Sequence, residues 1–127
     1  MSIRLNHVFV TLASERFDHL VAYYQALLGQ SPEPLLPNRY AEFQLPGLRL
    51  GIFKPKATHC EEFAGAGGGM SLCLEVESLE GAIATLTDLG YPPPGEVTQA
   101  SHGREIYAYD PDGNRLILHQ AHIQKSL

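Results

Sequence analysis

Residues 5–29 read LNHVFVTLASERFDHLVAYYQALLG, and the change of period inside this stretch decides the fold. Leu5, His7, Phe9 and Thr11 alternate with Asn6, Val8, Val10 and Leu12, the two-residue period of a strand. Apart from its polar start this strand is apolar on both sides, so both faces are expected to be covered. Phe17, Leu20, Val21, Tyr24, Leu27 and Leu28 then recur at helical spacing, with Ser14 the predicted N-cap and Gly29 the stop. A connector with Pro32, Pro34 and Pro37 follows. Beyond it three strands are predicted: a poor one near 32–37, then 39–45 and 48–54, the last two joined by a turn at Pro46-Gly47.

Working outward, the second half repeats this order with different residues. A strand is predicted over 70–76 and a helix capped by Ser78, with its stripe at Leu79, Ala82, Ile83, Leu86 and Leu89 and its end at Gly90. Strands over 96–101, 104–109 and 114–120 follow, and Asp110-Pro111-Asp112-Gly113 supplies the last turn, with Pro second and Gly fourth. The chain is therefore α+β: two βαβββ modules, 1–54 and 70–120, joined by a flexible connector, 55–69, and ending in a tail, 121–127. A crossover helix makes the first strand of each module parallel to its fourth.

In this order of elements the chain resembles the vicinal oxygen chelate superfamily, which includes glyoxalase I, extradiol dioxygenases and bleomycin-binding proteins. The resemblance rests on His7-Val8-Phe9-Val10, on Tyr23-Tyr24-Gln25-Ala26-Leu27-Leu28-Gly29 and on Tyr107-Ala108-Tyr109-Asp110-Pro111-Asp112-Gly113-Asn114. It implies sheets curled around a cleft in which a divalent metal holds substrate oxygens, with ligands on the first and fourth strands of each module. Carried over residue by residue, those positions fall on His7, Gly51, Ser71 and Ile117. Only His7 is a donor of the usual kind, so no metal and no cofactor is expected there.

Strand parity assigns side chains to the ligand face: His7 with Phe9, Gly51 with Arg49 and Phe53, Ser71 with Cys73 and Glu75, and Ile117 with Arg115 and His119. On the seventh strand Ile106 and Ala108 suit the helix side, which leaves Glu105, Tyr107 and Tyr109 on the other. His7, Phe9, Arg49, Phe53, Ser71, Cys73, Glu75, Glu105, Tyr107 and His119 are thus the expected ligand-binding residues, an apolar wall with a few polar anchors. Plainer roles stand beside these: His7 as an ordinary strand histidine, Arg49 and Glu75 as an ion pair, Glu105 and Tyr107 as a dimer contact. A Cys73–His119 nucleophile pair and a shifted metal site of His7, Glu75 and His119 are lesser readings. Thr58-His59-Cys60-Glu61-Glu62 reads as solvated loop, and Gly65-Ala66-Gly67-Gly68-Gly69 as a hinge because it precedes a strand instead of linking strand to helix. His102 and His122 fall in a turn and a tail.

Composition narrows the function classes. The 127 residues are 44% hydrophobic and 18% charged, enough to bury one core. A formal charge of -5 argues against nucleic acid and anionic membrane as partners, and slightly favours a neutral or cationic ligand. Cys60 and Cys73 make no disulfide framework and the start carries no apolar signal core, so a soluble cytoplasmic protein is expected. The first functional expectation is metal-independent small-molecule binding in a cleft, in a homodimer by analogy with the superfamily. A superfamily enzyme (lyase, isomerase or oxygenase) and an idle dimerisation module are the alternatives.

Overall fold

The computed structural model describes residues 2–65 and 68–122, and the chain folds as two units, Met1–Gly65 and Ala66–Leu127. The first contains β1 (Val10–Ala13), α1 (Phe17–Leu28), β2 (Leu35–Leu36), β3 (Tyr40–Leu45) and β4 (Leu48–Phe53), in sheet order β1-β4-β3-β2. In the second, β5 (Leu72–Glu75), α2 (Leu79–Asp88), β6 (Thr98–Ala100), β7 (Gly103–Tyr109) and β8 (Arg115–Ala121) form a sheet of order β5-β8-β7-β6. β1 runs parallel to β4 and β5 parallel to β8, whereas the meander pairs are antiparallel.

Each sheet buries one face under its helix. In the first unit α1 packs on β4, and Ala41, Phe43, Leu50 and Ile52 of the sheet are buried together with Phe17, Leu20, Val21 and Tyr24 of the helix. In the second Leu116, Leu118, Ile106 and Ala108 lie with Leu79 and Leu86 of α2. Fully burying one such Leu, Ile or Phe side chain is worth about 1.5 to 3 kcal/mol, so these faces hold each unit together.

Local signals explain the ends. Gly29 closes α1 at φ 68°, a left-handed position that costs glycine nothing. Ser78 caps α2 by accepting from Gly81 N at 2.9 Å. Asp110 is buried in its turn, where Oδ1 accepts from the backbone N–H groups of Asp112 and Asn114 at 2.9 and 3.0 Å and Oδ2 from Asn114 Nδ2 at 2.8 Å.

Three sequence expectations are corrected. Ser14 does not cap α1: the N-cap position is Arg16, and the Ser14 hydroxyl accepts from Arg16 N at 3.0 Å while its own N–H donates to Phe53 O at 2.9 Å, holding β1 to β4. The connector 55–69 is not all loop, because Ala57–Phe63 forms a 3₁₀ helix whose Phe63 meets Phe53 edge to face at 5.2 Å. Third, the first strand begins at Val10, and its predicted forepart is exposed, Leu5 64% and Val8 73%. The partner strand runs out: counting back from Val10↔Leu50, His7 comes level with Gly47 in the turn before β4. Of the hinge and the tail, residues 66–67 and 123–127 lie outside the described residues.

Candidate functional site

On the face of the second sheet away from α2, three rows of side chains cross the strands. Register places Arg115 opposite Tyr109, Cys73 opposite Ile117 and Ile117 opposite Tyr107, and Glu75 opposite His119 and His119 opposite Glu105. These are the residues parity assigned to one face, and they share it because the side-chain period of a strand is two. The middle row is apolar and open, with Tyr107 50% exposed. Its flanking rows are polar.

Arg115 anchors one flank. Its Nε donates to Ser71 Oγ at 2.6 Å and its Nη2 to the carbonyls of Gly68 and Met70, so Ser71 is occupied by a neighbour and the arginine ties down the chain entering β5. The other flank is a chain of three groups. His119, only 6% exposed, has Nδ1 at 2.9 and 2.8 Å from the two oxygens of Glu75, and its Nε2 lies 2.7 Å from Nδ1 of His102. A carboxylate oxygen accepts, so the Glu75 contact calls for a hydrogen on Nδ1 of His119, and the contact between His119 Nε2 and His102 Nδ1 is made by one hydrogen carried on either ring. Gly103 lies close by: a Cβ there would meet the β8 backbone at Gln120 O and Ala121 Cα, and would stand 2.9 Å from His119 Nε2.

The Cys73–His119 pair is not formed. Cys73 faces Ile117, and both ring nitrogens of His119 are engaged by Glu75 and His102. Burial, then the charges of Glu75 and Glu105, push the Cys73 thiol above its ordinary value, the reverse of what a nucleophilic thiolate needs. His102 is the residue that sequence reasoning missed. Strand pairing gives no signal for it: continued past Gly103↔Ala121 it sets His102 level with His122, whose N–H donates to the His102 carbonyl at 3.2 Å, while the His102 ring lies against His119.

In the first unit Gly51 lies opposite Thr11 on one side and Glu42 on the other, not beside His7. Glu42 brings to this spot the carboxylate that Gly51 lacks, and it is buried and fully engaged. Arg49 Nη1 lies 3.0 Å from its Oε2, Tyr40 OH donates to Oε1 at 3.1 Å and Gln44 Nε2 to Oε2 at 3.2 Å. Arg49 therefore pairs with Glu42, and Glu75 with His119, which replaces the expected Arg49–Glu75 pair. The Arg49 guanidinium also stacks over Phe9 at 4.4 Å from the ring centroid. His7 is exposed and lies outside the strand.

The four positions that the superfamily uses for a divalent metal do not fit one here. A Cβ on Gly51 would stand 2.8 Å from Tyr40 OH and 3.2 Å from Thr11 Cγ2, so the volume a ligand side chain would take is filled. Ser71 is held by Arg115, and Ile117 has no donor. Among the described residues no three His, Cys, Asp or Glu side chains gather to hold a metal. Nor is any described helix long and apolar enough to cross a membrane.

No protein-family model and no curated protein matches the sequence. Solved structures do. A glyoxalase/bleomycin resistance protein/dioxygenase family enzyme from Burkholderia phytofirmans superposes with a TM-score of 0.76 at 14% identity, over 90% of this chain and 97% of its own. A glyoxalase/bleomycin resistance protein from Catenulispora acidiphila gives 0.67 at 24% identity, over 91% and 97%. A lactoylglutathione lyase from Agrobacterium tumefaciens gives 0.67 at 18%, over 91% and 94%. With its two four-stranded sheets, each closing on a parallel pair of first and fourth strands, the chain has the vicinal oxygen chelate fold of the glyoxalase, bleomycin resistance and dioxygenase proteins.

Proposed function

We propose that this protein binds a small planar organic molecule on the open face of its second sheet, without a metal at the positions its fold relatives use. The reading rests on one observation: an apolar row, Cys73, Ile117 and half-exposed Tyr107, runs between a row anchored by Arg115 and one carrying Glu75, His119 and Glu105. An aromatic floor offers contact area at low entropic cost, and polar groups on two sides fix orientation. Phe9, Arg49 and Phe53 occupy the corresponding face of the first sheet, where Phe53 packs on Phe63 and Arg49 on Phe9 and Glu42. A pocket of about 190 Å³ lined by Ala13, Glu15, Pro55, Cys60 and Phe63 is too small for a ligand of drug size, for which about 300 Å³ is a lower bound. Carbon-labelled protein titrated with uncharged and cationic aromatic fragments tests the reading. The Ile117 methyl signals are expected to shift with saturation, and a screen that moves signals only elsewhere contradicts it.

A further inference from the structure

The relay Glu75–His119–His102 is more than the binding of a planar molecule requires. Two imidazole nitrogens face each other 2.7 Å apart, and the inner ring is clamped from behind by a carboxylate that touches it with both oxygens. A hydrogen bond between neutral imidazoles needs no such clamp. The clamp does what a carboxylate behind a metal-ligating histidine does: it fixes the tautomer, aims the free nitrogen outward and raises its basicity.

We propose that His119 Nε2 and His102 Nδ1 are the two protein ligands of a divalent transition-metal ion of the borderline class, Zn²⁺, Ni²⁺ or Cu²⁺, with Glu75 as the positioning residue behind them and water completing the shell. Imidazole nitrogen selects these ions over Mg²⁺ and Ca²⁺, which require oxygen. With Zn–N bonds of about 2.0–2.1 Å and tetrahedral angles, two ligating nitrogens stand about 3.3 Å apart. The rings therefore separate by roughly 0.6 Å to admit the ion in place of the shared hydrogen. His102 can make that movement, since it is exposed and sits in the turn between β6 and β7, whereas His119 is held in β8. A Cβ at Gly103 would stand 2.9 Å from the inner nitrogen, so a side chain there would crowd it. The surrounding field has the right sign: Glu75 and Glu105 flank His119 on the same face, and both act electrostatically on Cys73 beside them.

These are not the positions at which the fold's relatives keep their metal, two of which fall on Ser71 and Ile117 in this unit. With two protein donors the site also differs from a closed three- or four-ligand cage, in keeping with the lack of any larger donor cluster among the described residues. The inference goes beyond the proposed function: it shares Glu75 and His119 with the row that would orient the planar molecule, and the two readings separate at His102, which that function does not use.

The test is calorimetric titration of untagged, chelator-treated full-length protein with ZnCl₂, backed by electron paramagnetic resonance with Cu²⁺. One ion per chain is expected, with hyperfine lines from two equatorial nitrogens. His102→Gln, which alters an exposed turn residue, is expected to abolish the saturable phase while leaving the fold and the fragment-induced shifts at Ile117 intact. Glu75→Gln is expected to weaken Zn²⁺ binding about 10- to 100-fold. His7→Gln is expected to change nothing. Absence of a saturable phase, unchanged affinity in His102→Gln, or loss of binding in His7→Gln would each overturn the proposal.

Discussion

Gly51 shows how one residue redirects a site. Where a ligating side chain would stand, the ring of Tyr40 crosses the strand and its hydroxyl donates to buried Glu42. Gly51→Ala places a Cβ 3.1 Å from Tyr40 Cε1 and 2.8 Å from Tyr40 OH, and should cost about 1 to 3 kcal/mol by overpacking. Urea denaturation reads that cost, and the same change in a Tyr40→Ala background should cost less, since the two positions are in contact. Tyr40 also carries a pH signature. Burial, then its hydrogen bond to Glu42, holds the phenol proton to a higher pH than the ordinary 10.0. Its contribution to stability is therefore complete below the unfolded value and lost as pH rises through the folded one. Denaturation midpoints in alkaline buffers should fall less steeply for Tyr40→Phe than for the wild type, and equal slopes would remove Tyr40 from the account. Cys73 tests the charge of the second face. Although exposed, it should react with iodoacetamide at neutral pH more slowly than a free thiol, because burial, Glu75 and Glu105 all oppose the thiolate. Peptide mass spectrometry should find the reaction faster in a Glu75→Gln/Glu105→Gln variant.

At the scale of elements, the period of the sequence carries most of the information. Alternation in the strands separates Leu72, Leu74, Leu116 and Leu118 from Cys73, Glu75, Ile117 and His119, and the register of β5, β8 and β7 reproduces that separation. What periodicity lacks is an origin. Leu5, His7 and Phe9 continue the pattern of β1 beyond the point where β4 can pair with it, so the alternation is real and the strand is not. Turns are legible when a single side chain closes them. Asp110 accepts three hydrogen bonds within five residues, and Asp110→Ala leaves the N–H groups of Asp112 and Asn114 without that acceptor. A loss of about 2 to 3 kcal/mol is expected in thermal or urea unfolding, from bonds to a charged, buried group. The 3₁₀ helix Ala57–Phe63 was not legible, because Phe63 is the only large apolar residue of that segment and its packing on Phe53 is a tertiary event.

For the molecule as a whole, the doubled order of elements was readable because each half repeats strand, helix and meander, and each half folds as its own unit. The face that carries the candidate site was readable for the same reason. Its sharpest feature was not: His102 lies outside any strand, where no period applies, and the hairpin register continued to it meets His122 and not His119. The central claim is that the apolar row of the second sheet is a binding surface and not merely uncovered sheet. Tyr107 is its most exposed large side chain and lies opposite Ile117. The most direct test compares the dissociation constant of an aromatic fragment for wild type and Tyr107→Ala, with the unfolding free energy of both measured alongside. Loss of one well-packed aromatic contact is expected to weaken binding about tenfold or more, with stability changed by less than about 1 kcal/mol. Equal affinity in the two proteins would contradict the account.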